Sequence, residues 1–337
     1  MTARDGNDAE HRLLELLSGK WVTAAITAAA ELGIADVLAE RPMDVGELAR
    51  RTQCHEGALS RLLRVLSGEG LVELQSSGMW ALTAVGEQLR EGQLRDLARF
   101  IGAPFAWAPW SQLTAAIRSN ASAFEQTHGA SLFEYLDRQG PDAQLYHCAV
   151  DAFTRREARA LAEAFDFSGV RTVVDVGGGL GTLLIELAAR WPEMRCILYD
   201  RPSVVEQARA NFESGPLRDR IRTIAGDFFE GVPTGANAYV LKHVVHNWGD
   251  DEAIDLLRRC AAGLEPGGHV LIVESILLPG NRRDGTPLLD LEMLVLCGAG
   301  RERSKPEFRT LLRRAGLKLV STRHLDGMAR LLVAAPA

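Results

Sequence analysis

One stretch, "TVVDVGGGLGTLLIELAARW" at residues 172–191, constrains the fold more than any other. Its first five residues are apolar or β-branched around Asp175, as in a strand buried on both faces. Gly177, Gly178, Gly179 and Gly181 follow at once, and the next segment carries apolar residues at helical spacing. Strand, glycine loop and helix in that order begin a parallel sheet covered by helices, an α/β fold. From Val170 onward the alternation repeats, with strands expected at residues 172–176, 196–200, 222–226, 238–242 and 269–275. A final pair, "LKLVST" and "ARLLVAA", is separated by a short turn and is expected to be antiparallel.

The loop also restricts the ligand. A dinucleotide site reads G-x-G-x-x-G, whereas the run from Gly177 reads G-x-G-x-G followed by Thr182, so the third glycine is missing. No Gly-Lys-Ser/Thr follows, which excludes a P-loop. Asp175 lies inside the strand just before the loop, where a carboxylate suits a cationic ligand better than a phosphate. Asp200 ends "CILYD", the position from which a carboxylate binds ribose hydroxyls. Asp227 in "AGDFF" is placed to accept from an adenine amino group beside the ring of Phe228. A lone strand-end Asp is more often a turn former. Three of them around one glycine loop point to a shared ligand.

The chain ahead of this sheet has a different period. "LLELLSGKWVTAAITAAAELGIADVL" gives two helices expected to face a core, and Asp44 is a candidate N-cap for the helix after it. A helix over Gly57 to Ser67 then precedes a hairpin turning at "SSG", and helices followed by such a wing describe a winged-helix module. In a DNA reader that helix would enter the major groove. Here it offers only Arg61 and Arg64 outward in a chain of net charge −6, so packing between domains or subunits is the better account. No nucleic-acid partner is expected. Residues 100–167 are helical and aromatic. Trp107 and Trp110 share a helical face, where they either pack domains together or wall a cavity for a flat substrate.

Cys54, Cys148, Cys196, Cys260 and Cys297 are scattered without a C-x-x-C pair, as free thiols of a reducing cytoplasm would be. The opening "MTARDGNDAE" lacks the basic and apolar regions of a secretory signal. No window approaches the ~20 apolar residues of a bilayer span, so no membrane partner is expected.

The stretch "LKHVVHNWGDDEA", residues 241–253, delivers Lys242, His243, His246 and Trp248 to one strand exit. An imidazole of ordinary pKa, about 6.5, is substantially neutral near neutrality and can take a proton from a hydroxyl. Metal binding by the two histidines would need a third ligand, and none stands at a motif distance, so no metal is expected. Trp248 reads as a packing residue and Asp250 as the cap of the following helix.

In order along the chain, "VVDVGGGLGT", "GDFFEGVPTGANAYVLKHVVHNW", "GGHVLIVESILLP" and "GRERSKPEF" resemble the motifs of S-adenosylmethionine-dependent small-molecule O-methyltransferases. That family includes the plant caffeate and flavonoid type and the bacterial enzymes of aromatic natural products. The resemblance covers almost the whole chain. It implies a class I methyltransferase, Rossmann-like sheet with an antiparallel last strand, preceded by a winged-helix dimerisation domain. The implied division is a dimerisation domain at 1–98, a helical linker contributing to the substrate pocket at 99–168 and the catalytic domain at 169–337. It further implies a homodimer, S-adenosyl-L-methionine as cofactor with S-adenosyl-L-homocysteine as product, and a hydroxyl acceptor on an aromatic or polyketide-like small molecule.

Residue by residue, the resemblance implies that Gly177 and Gly179 line the methionine portion, with Asp175 and Arg201 among the cofactor contacts. Asp200 would bind the ribose, Asp227 and Phe228 the adenine, and Lys242 would lie beside the adenosine. Thr154 is suggested near the methionine carboxylate. His246 matches the general base, and Glu274 and Glu302 match the acids that orient it for in-line transfer. Trp107, Trp110, Phe153, Asn247, Met293 and Leu294 are expected around the acceptor, and Asn247 stands where the family usually has Asp. Some chains of this fold have moved to hydroxylation, but the presence of His246, Glu274 and Glu302 argues for methyl transfer. A winged-helix regulator that senses a metabolite is the other alternative.

Overall fold

The computed structural model describes residues 3–138, 140–212, 217–280 and 284–337, with side chains described from residue 8. The first two residues of the expected N-terminal domain lie outside this set. The chain divides into two compact units, Met1–Trp107 with Cys148–Ala152, and Ala108–His147 with Phe153–Ala337.

In the first unit, helices α1 (Ala3–Glu31), α2 (Ile34–Glu40), α3 (Val45–Arg51) and α4 (Glu56–Gly68) precede a hairpin of β1 (Val72–Leu74) and β2 (Trp80–Leu82). Asp44 caps α3 as expected, its Oδ1 accepting from the Glu47 amide at 2.8 Å. Leu48, Leu59, Leu63 and Leu66 meet Ile34 and Trp80 in one core. The first half of α1 departs from the core-facing expectation. Leu17 is 65% and Trp21 73% exposed, and Leu13, Leu14 and Leu16 are open as well. Residues Asp8–Glu31 reach the length and mean hydropathy of a bilayer span, a test that helices of globular proteins also pass, and no membrane partner is indicated. Helical periodicity identifies an apolar face but not what covers it.

The second unit is built on strands β3 (Thr172–Val176), β4 (Arg195–Asp200), β5 (Ile221–Ala225), β6 (Ala236–Lys242), β7 (Leu264–Leu277), β8 (Arg303–Ser304), β9 (Leu317–His324) and β10 (Ala329–Pro336). Their order is β5-β4-β3-β6-β7-β10-β9, and the two-residue β8 pairs with β7. All neighbours are parallel except β10, which runs antiparallel to both β7 and β9. Pairing of the last two strands was expected; insertion of β10 between β9 and the rest of the sheet was not legible from the turn alone.

Ala238, Tyr239, Val240 and Leu241 on β6 are all fully buried, which explains the unbroken apolar run. Tyr239 and Leu241 join the core on one face, with α7 (Asp250–Gly263), whereas Ala238 and Val240 join the core on the other, with the glycine-loop helix α6 (Thr182–Arg190) and the end of α5 (Pro141–Ala164). Helices α8 (Thr286–Cys297) and α9 (Lys305–Arg314) complete the unit. The chain winds outward from β3 through β4 to β5 and returns to start again at β6, on the other side of β3. The carboxyl ends of β3 and β6 therefore flank the switch point where open α/β sheets bind ligands.

Candidate active site

The two motif loops leave the sheet on either side of that switch point and touch. Gly177 has φ of +69°, and a Cβ there would lie 2.8 Å from Cγ2 of Val244. A side chain at 177 would thus collide with the turn after β6.

That turn is held from three sides. Its first residue, His243, has φ of +54° and still donates its amide to Val273 O of β7 at 2.9 Å. The chain then enters a 3-10 turn over Val245–Asn247. Glu274 on β7 is fully buried, and its Oε1 accepts the Val244 amide at 3.1 Å and the His246 amide at 3.2 Å. From the third side, the Arg301 amide donates to His246 O at 2.8 Å. Arg303, also fully buried, donates to Val245 O at 3.2 Å, Trp248 O at 2.8 Å and Asp250 Oδ1 at 2.9 Å. "RERS" is thereby a staple, and its middle acid is delivered to the imidazole.

Glu302 Oε1 lies 2.7 Å from His246 Nδ1, and Glu274 Oε2 lies 3.3 Å from the same nitrogen. Neither acid is the solvent-facing charge that a strand end or loop would ordinarily carry. Burial opposes the imidazolium, but Glu274 and Glu302 together raise the His246 pKa above its usual value. Burial pushes the Glu302 carboxyl up, whereas Glu274 is lowered against its own burial by His246 and His243. An Nδ1 hydrogen-bonded to a carboxylate carries the proton, which leaves Nε2 as the accepting nitrogen.

His243 is bound on its other side. Its Nε2 lies 3.1 and 3.2 Å from the two oxygens of Glu157 on α5, and Lys242 Nζ is 3.3 Å from Glu157 Oε2. Burial alone would lower the His243 pKa, yet Glu157 overrides it and raises it to about 9. The same pairing, against burial, brings Glu157 down to about 2. His243 Nδ1 has no hydrogen-bond partner among the described residues and lies 3.7 Å from Glu274 Oε2. His243, His246 and Glu274 bring possible ligand atoms within 4.8 Å of one another, so the fold supplies the third group that sequence spacing did not. Each ring nevertheless has a carboxylate partner of its own, Glu157 and Glu302.

On the opposite side of the switch point the acids stand without cations. Asp175 is 2% exposed, its Oδ2 has no hydrogen-bond partner among the described residues, and burial pushes it up to about 7 despite Lys242. Asp200 accepts the Gly179 amide at 2.8 Å and the Arg201 amide at 2.7 Å, and burial outweighs both bonds to push it up to about 6. Gly179 has φ of +58°, with open space where a Cβ would be. An orphaned buried carboxylate, a second desolvated one and an open glycine loop fit a compact organic cation with ribose hydroxyls, and would repel a phosphate. Arg201 reaches Phe133 O at 2.6 Å and pairs with Asp137, so what it presents to the loop is its backbone. Lys242 is likewise committed, to Glu157, with its ammonium 5.1 Å from the Phe153 ring. Asp227 is exposed and accepts the Phe229 amide at 2.8 Å, while Phe228 packs edge-on to Trp248. Thr154 is buried one turn before Glu157 on α5.

The expected acceptor residues separate. Phe153 packs edge-on to the His243 ring at 5.6 Å. Met293 is buried and Leu294 half-buried on α8, which packs against the His246 turn. Asn247 uses its side chain to hold that turn, its Nδ2 donating to His243 O at 3.1 Å, a bond that the carboxylate of an Asp could not donate. Trp110 is 37% exposed in a 3-10 segment, and Trp107 closes a short helix in the other compact unit, so they do not share one helical face. Asp250 is corrected too: Gly249 is the N-cap, and Asp250 is spent on Arg301 and Arg303. Sequence reasoning missed Glu157 and Glu292. Glu157 lies one turn from Thr154 in an Arg-rich stretch of sequence, a weak signal; Glu292, half-buried on α8 and pushed up by burial against the charge of His246, had none.

Comparison with known proteins agrees with this geometry. The family model of the O-methyltransferase domain matches residues 110–318, and that of the O-methyltransferase dimerisation domain matches 14–91, a span that includes the exposed Leu14, Leu16, Leu17 and Trp21 of α1. A 3-amino-4-hydroxybenzoate 4-O-methyltransferase of Streptomyces cremeus is 38% identical over 331 residues, 97% of this chain and 90% of its own length. Aclacinomycin 10-hydroxylase of Streptomyces purpurascens is 33% identical over 321 residues, 92% of this chain and 85% of its own. A methyltransferase of calicheamicin biosynthesis, solved with S-adenosylhomocysteine bound, superposes with a TM-score of 0.86 at 31% identity over the full length of both chains. The chain belongs to the O-methyltransferase family and is an S-adenosyl-L-methionine-dependent O-methyltransferase with its own dimerisation domain.

Proposed function

We propose that the chain acts as a homodimer on a phenolic hydroxyl of an aromatic or polyketide-like small molecule, with His246 as general base. The observation that carries this is the 2.7 Å contact between His246 Nδ1 and Glu302, which leaves Nε2 as proton acceptor. Glu302 fixes the tautomer and ring plane, and Glu274 fixes the turn through its two accepted amides. S-adenosylmethionine supplies an electrophilic methyl group on a positively charged sulfur. Gly177, Gly179, Asp175 and Asp200 would hold it, with Asp227 and Phe228 toward the adenine and Thr154 toward the methionine end. Phe153, Met293 and Leu294 would flank the acceptor, and Trp107 and Trp110 are the less direct candidates. Five free cysteines fit a reducing cytoplasm.

The name of the Streptomyces cremeus relative makes aminohydroxybenzoates the first acceptors to try, within a panel of phenols incubated with methyl-labelled cofactor. Mass spectrometry should find product heavier by one CH2. The hydroxylase among the relatives defines the second reading, in which product gains one oxygen instead. His246→Ala should lower kcat by roughly 10²-fold or more with cofactor affinity nearly unchanged. Near-normal turnover would remove His246 from the role of base. Because the two acids raise the imidazole pKa, the acid limb of kcat/KM should lie above pH ~6.5.

A further inference from the structure

His246 faces two carboxylates, and that creates a difficulty for a base. Glu274 and Glu302 lie 3.3 and 2.7 Å from its Nδ1, and Glu292 acts on it from α8. An imidazole opposed only by anions stays protonated and accepts nothing. The second ring of the motif answers this. His243 lies with its centroid 5.4 Å from that of His246, and its Nδ1 lies 3.7 Å from the Glu274 oxygen that also faces His246. It is anchored from the far side by both oxygens of Glu157, on a different helix.

We propose that His243, anchored by Glu157, is a positioning cation: its charge offsets Glu274, so that His246 gives up its proton at lower pH than its two acids alone would allow and can then accept one.

The inference rests on His246 being the base, and it assigns the tuning of that base to His243. Every charged group around the pair enters the balance. Lys242 and His243 are positive; Glu157, Glu274 and Glu302 are the acids in contact, with Glu292 on α8 and Asp290, which accepts the Glu302 amide, behind them. Burial opposes a charge on His243, but Glu157 keeps the ring protonated to about pH 9, well past the range in which His246 must be neutral. His243 has a φ of +54°, a conformation that His and Asn enter more readily than most residues. Asn tolerates that conformation well, so His243→Asn removes the charge without demanding a new backbone.

The test is NMR titration of protein selectively labelled with ¹⁵N at the histidine rings and saturated with S-adenosylhomocysteine, which needs no acceptor. In the wild type, His243 should remain protonated while His246 titrates; a neutral His243 at pH 7 overturns the proposal without any variant. In His243→Asn, the His246 midpoint should rise by about one pH unit or more. An unchanged or lowered midpoint overturns the proposal. In Glu274→Gln, the further change His243→Asn should shift the midpoint far less, because the effect passes through Glu274. A full shift there overturns the route through Glu274. With an active acceptor in hand, His243→Asn should be about tenfold slower near neutrality and recover at alkaline pH. The base assignment fails separately, through turnover of His246→Ala, whatever the titrations show.

Discussion

The two sides of the switch point handle charge in opposite ways. Around the glycine loop, Asp175 and Asp200 are desolvated with no cation bonded to either, and burial raises both. Around the β6 turn, Glu157, Lys242, His243, Glu274, His246 and Glu302 are as deeply buried but paired. One side stores an unmet demand for positive charge that a cationic cofactor can satisfy. The other is complete before any ligand arrives, as the proposed base would need to be.

The sharpest way to break this contrast is to unpair the second side. Glu157→Gln should destabilise the cofactor-free protein by roughly 3 kcal/mol in urea unfolding at neutral pH, because it leaves two buried cations without their anion. On the first side the main effect should be on binding. Asp200→Ala should weaken S-adenosylmethionine by about 100-fold, as read by calorimetry, through loss of the loop amides it holds and of the proposed ribose contacts. Asp175→Asn should separate the regions most clearly. A carboxyl raised to about 7 costs the folded state stability as pH rises from about 4 to that value, so this variant should be more stable than wild type at pH ~8, by about 1–2 kcal/mol, yet bind cofactor about tenfold more weakly. An equal loss of both would show the carboxylate to be structural.

The smallest effect is the pH profile of stability. The His243 contribution is complete below the ordinary imidazole value of about 6.5 and is lost as pH climbs through about 9. That of Glu157 is complete above about 4.5 and is lost toward about 2. Melting curves of His243→Asn should accordingly be flatter than wild type on the alkaline side.

What could be read in advance followed from locality. Strand ends, glycines and the "RERS" acid are fixed by a few neighbouring letters, and Asp175 and Asp200 stand beside the glycine loop, Glu274 and Glu302 beside His246. Glu157 was not legible because its partner is 86 residues away, and nothing in an Arg-rich helix marks one acid as buried. Asp250 was misread because a residue at a helix start suits a cap equally well, and only the fold shows Arg303 arriving to claim it. The exposed face of α1 escaped for a related reason: apolar spacing is the same whether the cover comes from this chain or another.

The contact between Gly177 and Val244 has one more implication. With no side chain at 177, the valine at 244 sets the gap between the glycine loop and the His246 turn, so a methyl-sized increment at 177 would push the two apart. Any change in that spacing has to come from residues elsewhere, because position 177 has no room for a side chain.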